Sequence, residues 1–377
     1  MDFTFSDDDE LFRQTLRQWS TERLLPNFPG YDPAWSRELA ELGVTGLRVP
    51  AEYGGSGGTF VQLGIAGEEI SRGCFDLNYW IQLNTIAVEL LARRANEDVK
   101  RRWLPAIASG EANMAFGLTE PSVGSDAANL TCRAVREGDE FVISGEKASI
   151  SFAGIADACV VFARTGGEGA RGISSILVPL DLAGVSRQVY DSMGSEITKR
   201  GSLFFDEVRV PTTNLLGEEG TGFIGAMTSF DFNRAFIALC CVGAAQQSLD
   251  ETIEFTKQRH TFGKPLARHE GIAFQVAEHQ ALLHSARLLA YETLDRADRG
   301  LEHTTQGAMA KWLGPKLSAE AIHACILMNG WPGYGRDAPH DQRLRSVIGL
   351  EIGDGTPEIM KGIIARETFG REFTPYR

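Results

Sequence analysis

Residues 119–126 have side chains whose types and spacing could bind a cofactor. They read Thr-Glu-Pro-Ser-Val-Gly-Ser-Asp and follow a short apolar run that begins at Ala115. Hydroxyl groups and a glycine-containing backbone can donate hydrogen bonds to a flat polar ring and to a phosphate-bearing tail. A hydroxyl-rich turn with no ligand has the same composition, so this segment alone leaves both interpretations open.

Two further segments carry charge at places where helices begin or end. Residues 259–265, Arg-His-Thr-Phe-Gly-Lys-Pro, separate two long helical stretches. They supply a cation, a hydroxyl and an aromatic ring that could clamp an anionic cofactor. Residues 353–366 begin Gly-Asp-Gly-Thr, which places Asp354 on a turn that enters a helix. An acid on such a turn can approach a ligand and accept a proton, although an acid there is also a common helix N-cap.

Two glycine-rich patterns are interpreted as turns. Residues 167–172 fit the dinucleotide pattern G-x-G-x-x-G, but a strand-like run follows where a pyrophosphate would need a helix N-terminus. We therefore predict a hairpin loop there. Residues 54–58 lack the Lys-Ser/Thr of a phosphate loop and are predicted to form a turn before the next helix.

Composition excludes several classes of function. The 377 residues predict two or three packed subdomains, and the net charge is 37 minus 50, or −13, which argues against nucleic acid or an anionic membrane as the partner. No apolar run approaches about 18 residues and the first residues are acidic, so we expect a cytoplasmic protein without membrane insertion. The six cysteines show no Cys-x-x-Cys pattern and predict buried thiols, and the histidines show no metal-ligand spacing.

The elements that must position these segments fall into three regions. Residues 1–112 predict a helical domain, since apolar residues such as Leu11, Phe12 and Leu16 recur at helical spacing. Residues 113–222 predict a small antiparallel, barrel-like β domain, because nothing between its strands is long enough for a crossover helix. Its expected strands contain residues 141–143, 159–162, 175–178, 203–205 and 208–210. Residues 223–377 predict a four-helix bundle with long helices over 234–259, 271–299 and 305–329.

Together the three chemical segments resemble the acyl-CoA dehydrogenase family of flavoproteins. The resemblance covers essentially the whole chain. Further matching motifs are residues 49–55 Val-Pro-Ala-Glu-Tyr-Gly-Gly, 118–121 Leu-Thr-Glu-Pro, 145–147 Gly-Glu-Lys, 205–211 Phe-Asp-Glu-Val-Arg-Val-Pro and 230–234 Phe-Asp-x-x-Arg. This set is specific for the superfamily and much less so for a substrate. It implies an α+β fold with an N-terminal helical domain, a middle β domain and a C-terminal four-helix bundle.

The resemblance also implies FAD as cofactor, bound between a β domain and two helical domains. By motif position, the residues along the flavin ring and pyrophosphate would be Phe116, Leu118, Thr119, Gly124 and Ser125, and Ser149 and Ser151 take the places of the family's flavin-flanking Trp-x-Thr. Contacts with the FAD of a partner subunit would come from Arg259, Thr261, Phe262, Asn329, Pro332 and Gly333. Thr356 and Glu358 follow the catalytic position and complete the cofactor set.

The implied reaction is α,β-dehydrogenation of an acyl thioester. A carboxylate removes the α-proton while the β-hydrogen leaves as hydride to flavin N5. Asp354 stands where the family has glutamate, and Asn233 occupies the other base position and cannot accept a proton. Substrate contacts would come from Ser125, Asp231, Arg234 and Gly355. Alternatively, Asp354 merely caps the last helix and the chain is a catalytically altered flavin-binding relative.

Substrate and partners stay open at this level. The acyl group could be carried by CoA or by the pantetheine of an acyl-carrier protein in a biosynthetic pathway. The electron acceptor could be an electron-transfer flavoprotein, although Ser149 in place of tryptophan changes the exposed side of the flavin. A nitroalkane-oxidase-like oxidase is a further alternative, but the helper arginine of those enzymes corresponds to Lys361. Because Arg259 would serve a neighbour's FAD, we expect a homodimer or homotetramer.

Overall fold

The structure, a computed structural model, describes residues 4–28, 32 and 34–373. Its chain divides into two compact units that are each discontinuous in sequence. The helical unit contains residues 1–31, 60–78 and 231–377, and the β-containing unit contains residues 32–59 and 79–230. The domain boundaries at residues 112 and 222 stay a prediction about the organisation of the chain.

The described helices and strands alternate in blocks along the chain. The α-helices are α1 Asp7–Trp19, α2 Ala34–Glu41, α3 Phe60–Gly73, α4 Asn78–Arg94, α5 Glu97–Ala108, α6 Gly222–Gln258, α7 Glu270–Asp298, α8 Thr304–Asn329, α9 Trp331–Tyr334, α10 His340–Ile352 and α11 Pro357–Phe369. The strands are β1 Met114–Gly117, β2 Arg133–Glu137, β3 Glu140–Ile150, β4 Ala158–Arg164, β5 Ile173–Pro179, β6 Val185–Val189, β7 Gly201–Pro211, β8 His260–Thr261 and β9 Lys264–Pro265. This content confirms the α+β fold class.

Helix α8 lies at the centre of the helical unit. It packs against α7, α10 and α11. It also approaches α6 closely at Gly314, where a Cβ atom would lie 2.5 Å from the Cβ of Ala238, so only glycine fits without a shift. Lys311 lies one turn before Gly314 on α8, and its side chain is also buried. The three long helices predicted over residues 234–329 are confirmed, although α6 begins earlier, at Gly222.

The sheet of the β-containing unit has the strand order β1-β4-β2-β3-β7-β6, with β5 also paired to β4. Four pairings are antiparallel, as expected, but β1 with β4 and β2 with β4 are parallel. A parallel pair needs a long connection, and the expectation of antiparallel pairing assumed that only a helix could supply one. Here the chain passes through β2 and β3 between the two strands.

Burial explains most of the strand predictions, although strand β1 is mostly buried and was not among the expected strands. Strands β4 and β5 are almost fully buried, and their continuous apolar runs were recognised. Strands β2 and β6 are largely exposed and were missed, because they lack an apolar pattern. The predicted runs at 203–205 and 208–210 belong to the single strand β7.

Three smaller expectations can be compared with the structure. Residues 167–172 connect the antiparallel strands β4 and β5, which confirms the hairpin loop. All six cysteines are free, and Cys74 alone is half-buried while the others are buried, which confirms the expected thiols. In the described ranges no helix is long and apolar enough to cross a membrane. The cytoplasmic location stays a prediction.

Candidate cofactor and substrate site

The cofactor segment of the β-containing unit forms a tight surface turn after β1. The main chains of Glu120 and Val123 exchange two hydrogen bonds, of 3.0 and 3.1 Å. Gly124 and Ser125 follow and are exposed, and a Cβ atom on Gly124 would meet no other atom within 4 Å. The backbone and the Ser125 hydroxyl are therefore accessible to a ligand.

A buried ion pair anchors this turn. The Lys147 ammonium is fully buried and donates to Glu120 Oε1 at 2.8 Å and to the Leu118 carbonyl at 3.1 Å. Glu120 also accepts from the backbone N–H groups of Thr131 and Cys132, at 2.7 and 2.9 Å. Burial opposes the charge of Glu120, but the bond and charge of Lys147 and these N–H groups hold its pKa below the ordinary 4.5.

The Ser149 position lies beside the same turn. The Ala148 N–H donates to the Thr119 carbonyl at 2.9 Å, which makes Thr119 and Ser149 close neighbours. Strand β3 changes register between Lys147 and Ile150, and Ser149 there has a left-handed φ of 57° and an exposed side chain. Ser151 follows and is half-buried. The irregular strand thus turns the Ser149 hydroxyl outward next to Thr119.

An aromatic group completes this part of the site. Phe116 of β1 is half-buried, and its ring centroid lies 4.7 Å from that of Phe162 and 5.5 Å from that of Phe230. The accessible hydroxyls and N–H groups are donors, as the ring carbonyls and phosphates of FAD require. The residues present therefore fit the cofactor that the resemblance implies.

The acid turn, residues 353–356 of the helical unit, joins α10 to α11. Asp354 is half-buried with a left-handed φ of 56°, a conformation that aspartate tolerates better than most residues, and Gly355 follows with φ 107°. The N-cap of α11 is Thr356, whose hydroxyl accepts from the Ile359 N–H at 3.5 Å, and Pro357 occupies the first turn. The alternative in which Asp354 caps the last helix is therefore wrong, because Thr356 does so.

Side chains from α6 and α8 surround the acid turn. Asn233 of α6 is 1% exposed, and its Nδ2 donates to Asp354 Oδ2 at 3.4 Å. Lys311 of α8 is 2% exposed, and its Nζ donates to the carbonyls of Leu350 and Gly355 at 2.6 and 3.0 Å. Hence the structure brings both family base positions, 233 and 354, into contact.

Two buried cations lie in the field of Asp354. Burial lowers the pKa of Lys311 to about 8, and attraction to Asp354 opposes that shift. Burial also lowers the pKa of Arg234, opposed by Asp231 and Asp354. Arg234 donates to Asp231 at 2.6 Å, and Asp231 accepts from the Thr304 hydroxyl at 2.7 Å. The predicted substrate residues Asp231 and Arg234 thus form a pair close to the acid turn, in which Arg234 is buried and Asp231 is half-buried.

The residues predicted to meet a partner's FAD lie elsewhere in the helical unit. Arg259 and Thr261 are on the short hairpin of β8 and β9, and Phe262 at its tip is 93% exposed. The Asn329 amide donates to Thr252 Oγ1 at 2.8 Å, two turns before Arg259 in α6. Within the described residues no hydrogen bond or ion pair joins this hairpin to the acid turn.

The residues that follow Asn329 and Thr356 differ in exposure. Pro332 is exposed and Gly333 is buried in α9, beside Trp331, which is 83% exposed. Glu358 is exposed on α11, 4.0 Å from Lys361. An exposed apolar surface next to Asn329 is consistent with a contact surface.

Sequence reasoning missed the two lysines that hold the two turns. The Gly-Glu-Lys motif contains Lys147 without indicating its partner, and none of the matching motifs contains Lys311. Lys311 lies in the stretch Gly-Ala-Met-Ala-Lys-Trp-Leu-Gly of α8, as a single charge among apolar and small residues. A lone lysine on a helix stretch of that kind is the signal that could have indicated a buried, hydrogen-bonded ammonium.

Comparison with known proteins gives matches along the whole chain. The models for the acyl-CoA dehydrogenase N-terminal, middle and C-terminal domains match residues 6–111, 115–208 and 220–369. A probable acyl-CoA dehydrogenase, YngJ of Bacillus subtilis, is 32% identical over 97% of this chain and 99% of its own.

Two solved structures have a similar fold. Butyryl-CoA dehydrogenase from Megasphaera elsdenii is similar with a TM-score of 0.94, 28% identity and coverage of 98% of this chain and 100% of that one. A glutaryl-CoA dehydrogenase from Mycobacterium smegmatis in complex with FADH2 has a TM-score of 0.93, 26% identity and coverage of 99% and 97%.

Proposed function

Since the chain belongs to the acyl-CoA dehydrogenase family of FAD-dependent oxidoreductases, we propose that it oxidises an acyl-CoA to the α,β-unsaturated thioester with Asp354 as the base. The observation that carries the assignment is the acid turn. Asp354 is held on a strained turn, an amide donor contacts its carboxylate, and two buried cations lie nearby. A carboxylate so placed has a fixed position rather than a solvated, freely rotating one.

The residues of the chain perform the proton half of the reaction. Asp354 accepts the α-proton of the thioester as the α C–H bond breaks. The electron pair of that C–H bond becomes part of the new α,β double bond. Bound FAD supplies the acceptor for the β-hydrogen, which leaves as hydride. Residues of the cofactor turn, Thr119, Ser125 and Ser149, would hold FAD through their hydroxyl and backbone donors.

Aspartate in place of glutamate restricts the acyl group. The carboxylate is one methylene shorter and is set back by roughly 1.5 Å, and a misplacement of about 1 Å can cost about 100-fold in rate. Asn233 occupies the second base position. Its amide cannot accept the proton, and it donates a hydrogen bond to the Asp354 carboxylate. We therefore propose a branched, cyclic or differently seated acyl group that brings its α-carbon to the retracted acid.

The partner surface belongs to the same proposal. Arg259, Thr261 and Phe262 are presented on a hairpin with little cover, and Trp331 is exposed beside Asn329, Pro332 and Gly333. We propose that these residues contact a second copy of the chain and its FAD, in a homodimer or homotetramer. Arg259→Ala should lower the FAD content and the sedimenting mass, and unchanged values would contradict this part.

The test is anaerobic reduction of the flavin. The purified protein is mixed with straight, branched and cyclic acyl-CoA thioesters, and with the same acyl groups on a carrier protein. We expect loss of the flavin absorbance with a CoA thioester, and a loss about 100–10,000-fold slower in Asp354→Asn, since a general base contributes about 10²–10⁴. Asp295→Asn on α7, an exposed carboxylate paired with Arg299, is the control.

Each other outcome identifies an alternative. Bleaching by carrier-protein thioesters alone assigns the enzyme to carrier-bound substrates. Rapid reoxidation of the flavin by air indicates an oxidase, and reoxidation only on addition of an electron-transfer flavoprotein indicates a dehydrogenase. A flavin-loaded protein that no thioester bleaches contradicts the proposed function.

A further inference from the structure

Lys311 is a buried cation that the proposed reaction does not use. It lies on α8, is 2% exposed and has a pKa that burial lowers to about 8. An ammonium without hydrogen bonds would be strongly disfavoured at such a place. Its Nζ is satisfied by two main-chain carbonyls, those of Leu350 at 2.6 Å and Gly355 at 3.0 Å.

These two carbonyls flank the acid turn. Leu350 lies in the last turn of α10, and Gly355 lies between Asp354 and Thr356, the N-cap of α11. One ammonium therefore links the end of α10 to the start of α11 across the segment that carries Asp354. Charge-assisted bonds of this kind are stronger than those of a neutral donor.

The short acid makes this link important. Aspartate has one side-chain torsion fewer than glutamate, so its carboxylate follows the backbone more closely. Asp354 has a left-handed φ of 56°, which few residues other than glycine, asparagine and aspartate adopt, and Gly355 continues the turn with φ 107°. A shift of the Gly355 carbonyl would therefore move the carboxylate itself.

We propose that Lys311 is a positioning residue for Asp354, fixing the acid turn through the carbonyls of Leu350 and Gly355 so that the shortened carboxylate reaches the α-proton. This inference rests on the proposed function of Asp354. Lys311 itself touches neither substrate nor cofactor in the proposal.

Charged and titratable groups face Lys311 from each neighbouring element. Asp354 of the acid turn, Cys241 of α6 and Glu351 of α10 favour its charged form, and Arg234 of α6 disfavours it. Because the ammonium loses its proton as the pH rises through about 8, its bonds to the two carbonyls then weaken. The rate that depends on Asp354 should fall on the same alkaline side.

The test compares two lysines of one helix. Lys311→Met removes the buried ammonium, and Lys316→Met removes an exposed one on α8 whose Nζ pairs with Glu320 at 2.6 Å. Lys311→Arg is the conservative variant. Flavin content, the anaerobic bleaching rate from pH 6.5 to 9.5, and hydrogen exchange of residues 350–358 are measured for each.

We expect Lys311→Met to retain FAD, to bleach about 30–100-fold more slowly than Lys316→Met with a KM within threefold, and to exchange faster at the acid turn. Its rate should no longer fall above about pH 8, and Lys311→Arg should recover part of the loss. A bleaching rate within threefold of Lys316→Met, with unchanged exchange, overturns the proposal.

Two further outcomes keep the conclusions separate. Should Lys311→Met fail to fold, the wild type decides. A rate that falls at least about tenfold between pH 7 and 9.5, with exchange at the acid turn that accelerates more than the base-catalysed exchange of the other amides, supports the proposal, and a flat rate profile overturns it. Should no thioester bleach the wild type, the proposed function fails, whereas unchanged exchange in a folded Lys311→Met is a failure of the positioning role alone.

Discussion

Two buried lysines hold the two turns to which the chemistry is assigned, and they do so in different electrostatic settings. In the β-containing unit Lys147 supports the cofactor turn through the Leu118 carbonyl and also pairs with the buried carboxylate of Glu120, 2.8 Å away. In the helical unit Lys311 supports the acid turn through two carbonyls, and among the described ion pairs it has no carboxylate partner. The lysine of the first turn is hydrogen-bonded to a carboxylate, whereas the lysine of the second is hydrogen-bonded to main-chain carbonyls.

The difference matches what each turn must do. A bound cofactor stays in place through many turnovers, so its turn gains from a rigid anchor that no ordinary pH change disturbs. In the proposed reaction, the acid turn carries a group that gains and loses a proton in each cycle. The Lys311 ammonium lies in the field of the Asp354 carboxylate and attracts it.

The largest expected effect relocates the base. Asp354→Gly should lower the bleaching rate about 100–10,000-fold, since no family-positioned acid then remains. Adding Asn233→Glu should recover about 10–100-fold of that loss, because the Asn233 side chain already reaches the Asp354 carboxylate at 3.4 Å. Anaerobic stopped-flow bleaching measures both, and no recovery in the double variant would show that position 233 does not face the reacting carbon.

The next effect separates the lysines by stability. Lys147→Met leaves the Glu120 carboxylate buried and unpaired and should lower the free energy of unfolding by about 3–5 kcal/mol. Lys311→Met leaves no unpaired carboxylate and should lower the free energy of unfolding by less, about 1–3 kcal/mol. Its effect on the bleaching rate should nevertheless be greater than that of Lys147→Met. Urea unfolding checks both values. Lys147→Met with Glu120→Gln should recover part of the loss, and a larger cost for Lys311→Met would remove the distinction between the turns.

The two turns should also respond to opposite ends of the pH range. Glu120 has a folded pKa below 4.5, so its stabilising contribution is present above pH 4.5 and is lost as the pH falls below it. Lys311 has a folded pKa of about 8 against an ordinary 10.5. Burial of its ammonium therefore lowers the free energy of unfolding by at most about 3 kcal/mol below pH 8, and this cost disappears as the pH rises to 10.5.

Unfolding of the wild type relative to matched variants measures these trends. The wild type should have a higher free energy of unfolding than Glu120→Gln at about pH 6, and this difference should shrink as the pH falls to about 3. The free energy of unfolding of the wild type should rise relative to that of Lys311→Met as the pH increases from 8 to 10.5. A curve for Lys311→Met that runs parallel to the wild type over that range would show that Lys311 titrates normally.

The smallest expected effect concerns one hydroxyl of the cofactor turn. Ser149→Ala should weaken FAD binding by about 2–10-fold, which corresponds to one hydrogen bond of about 0.5–1.5 kcal/mol. Fluorescence titration of the apoprotein with FAD measures it, with Ser144→Ala on the same strand as control. An unchanged affinity would remove Ser149 from the cofactor set.

Much of the fold could be predicted from local pattern. The long helices α6, α7 and α8 and the buried strands β4 and β5 show continuous apolar or helical periodicity. The exposed strands β2 and β6 could not be found, because a strand that buries no face leaves no apolar pattern. The parallel pairing of β1 with β4 was also missed, since pairing depends on which strands meet and not on local composition.

The sequence by itself determined the family and the FAD requirement and supplied Asp354 as the proposed base, because these depend on motifs whose residues are neighbours in the chain. Only the tertiary structure decided what holds those motifs. Lys147 reaches Glu120 across 27 residues and Lys311 reaches Gly355 across 44. A buried ammonium takes whatever acceptors the packing brings to it, so its partners depend on how helices and strands meet rather than on the residues beside it.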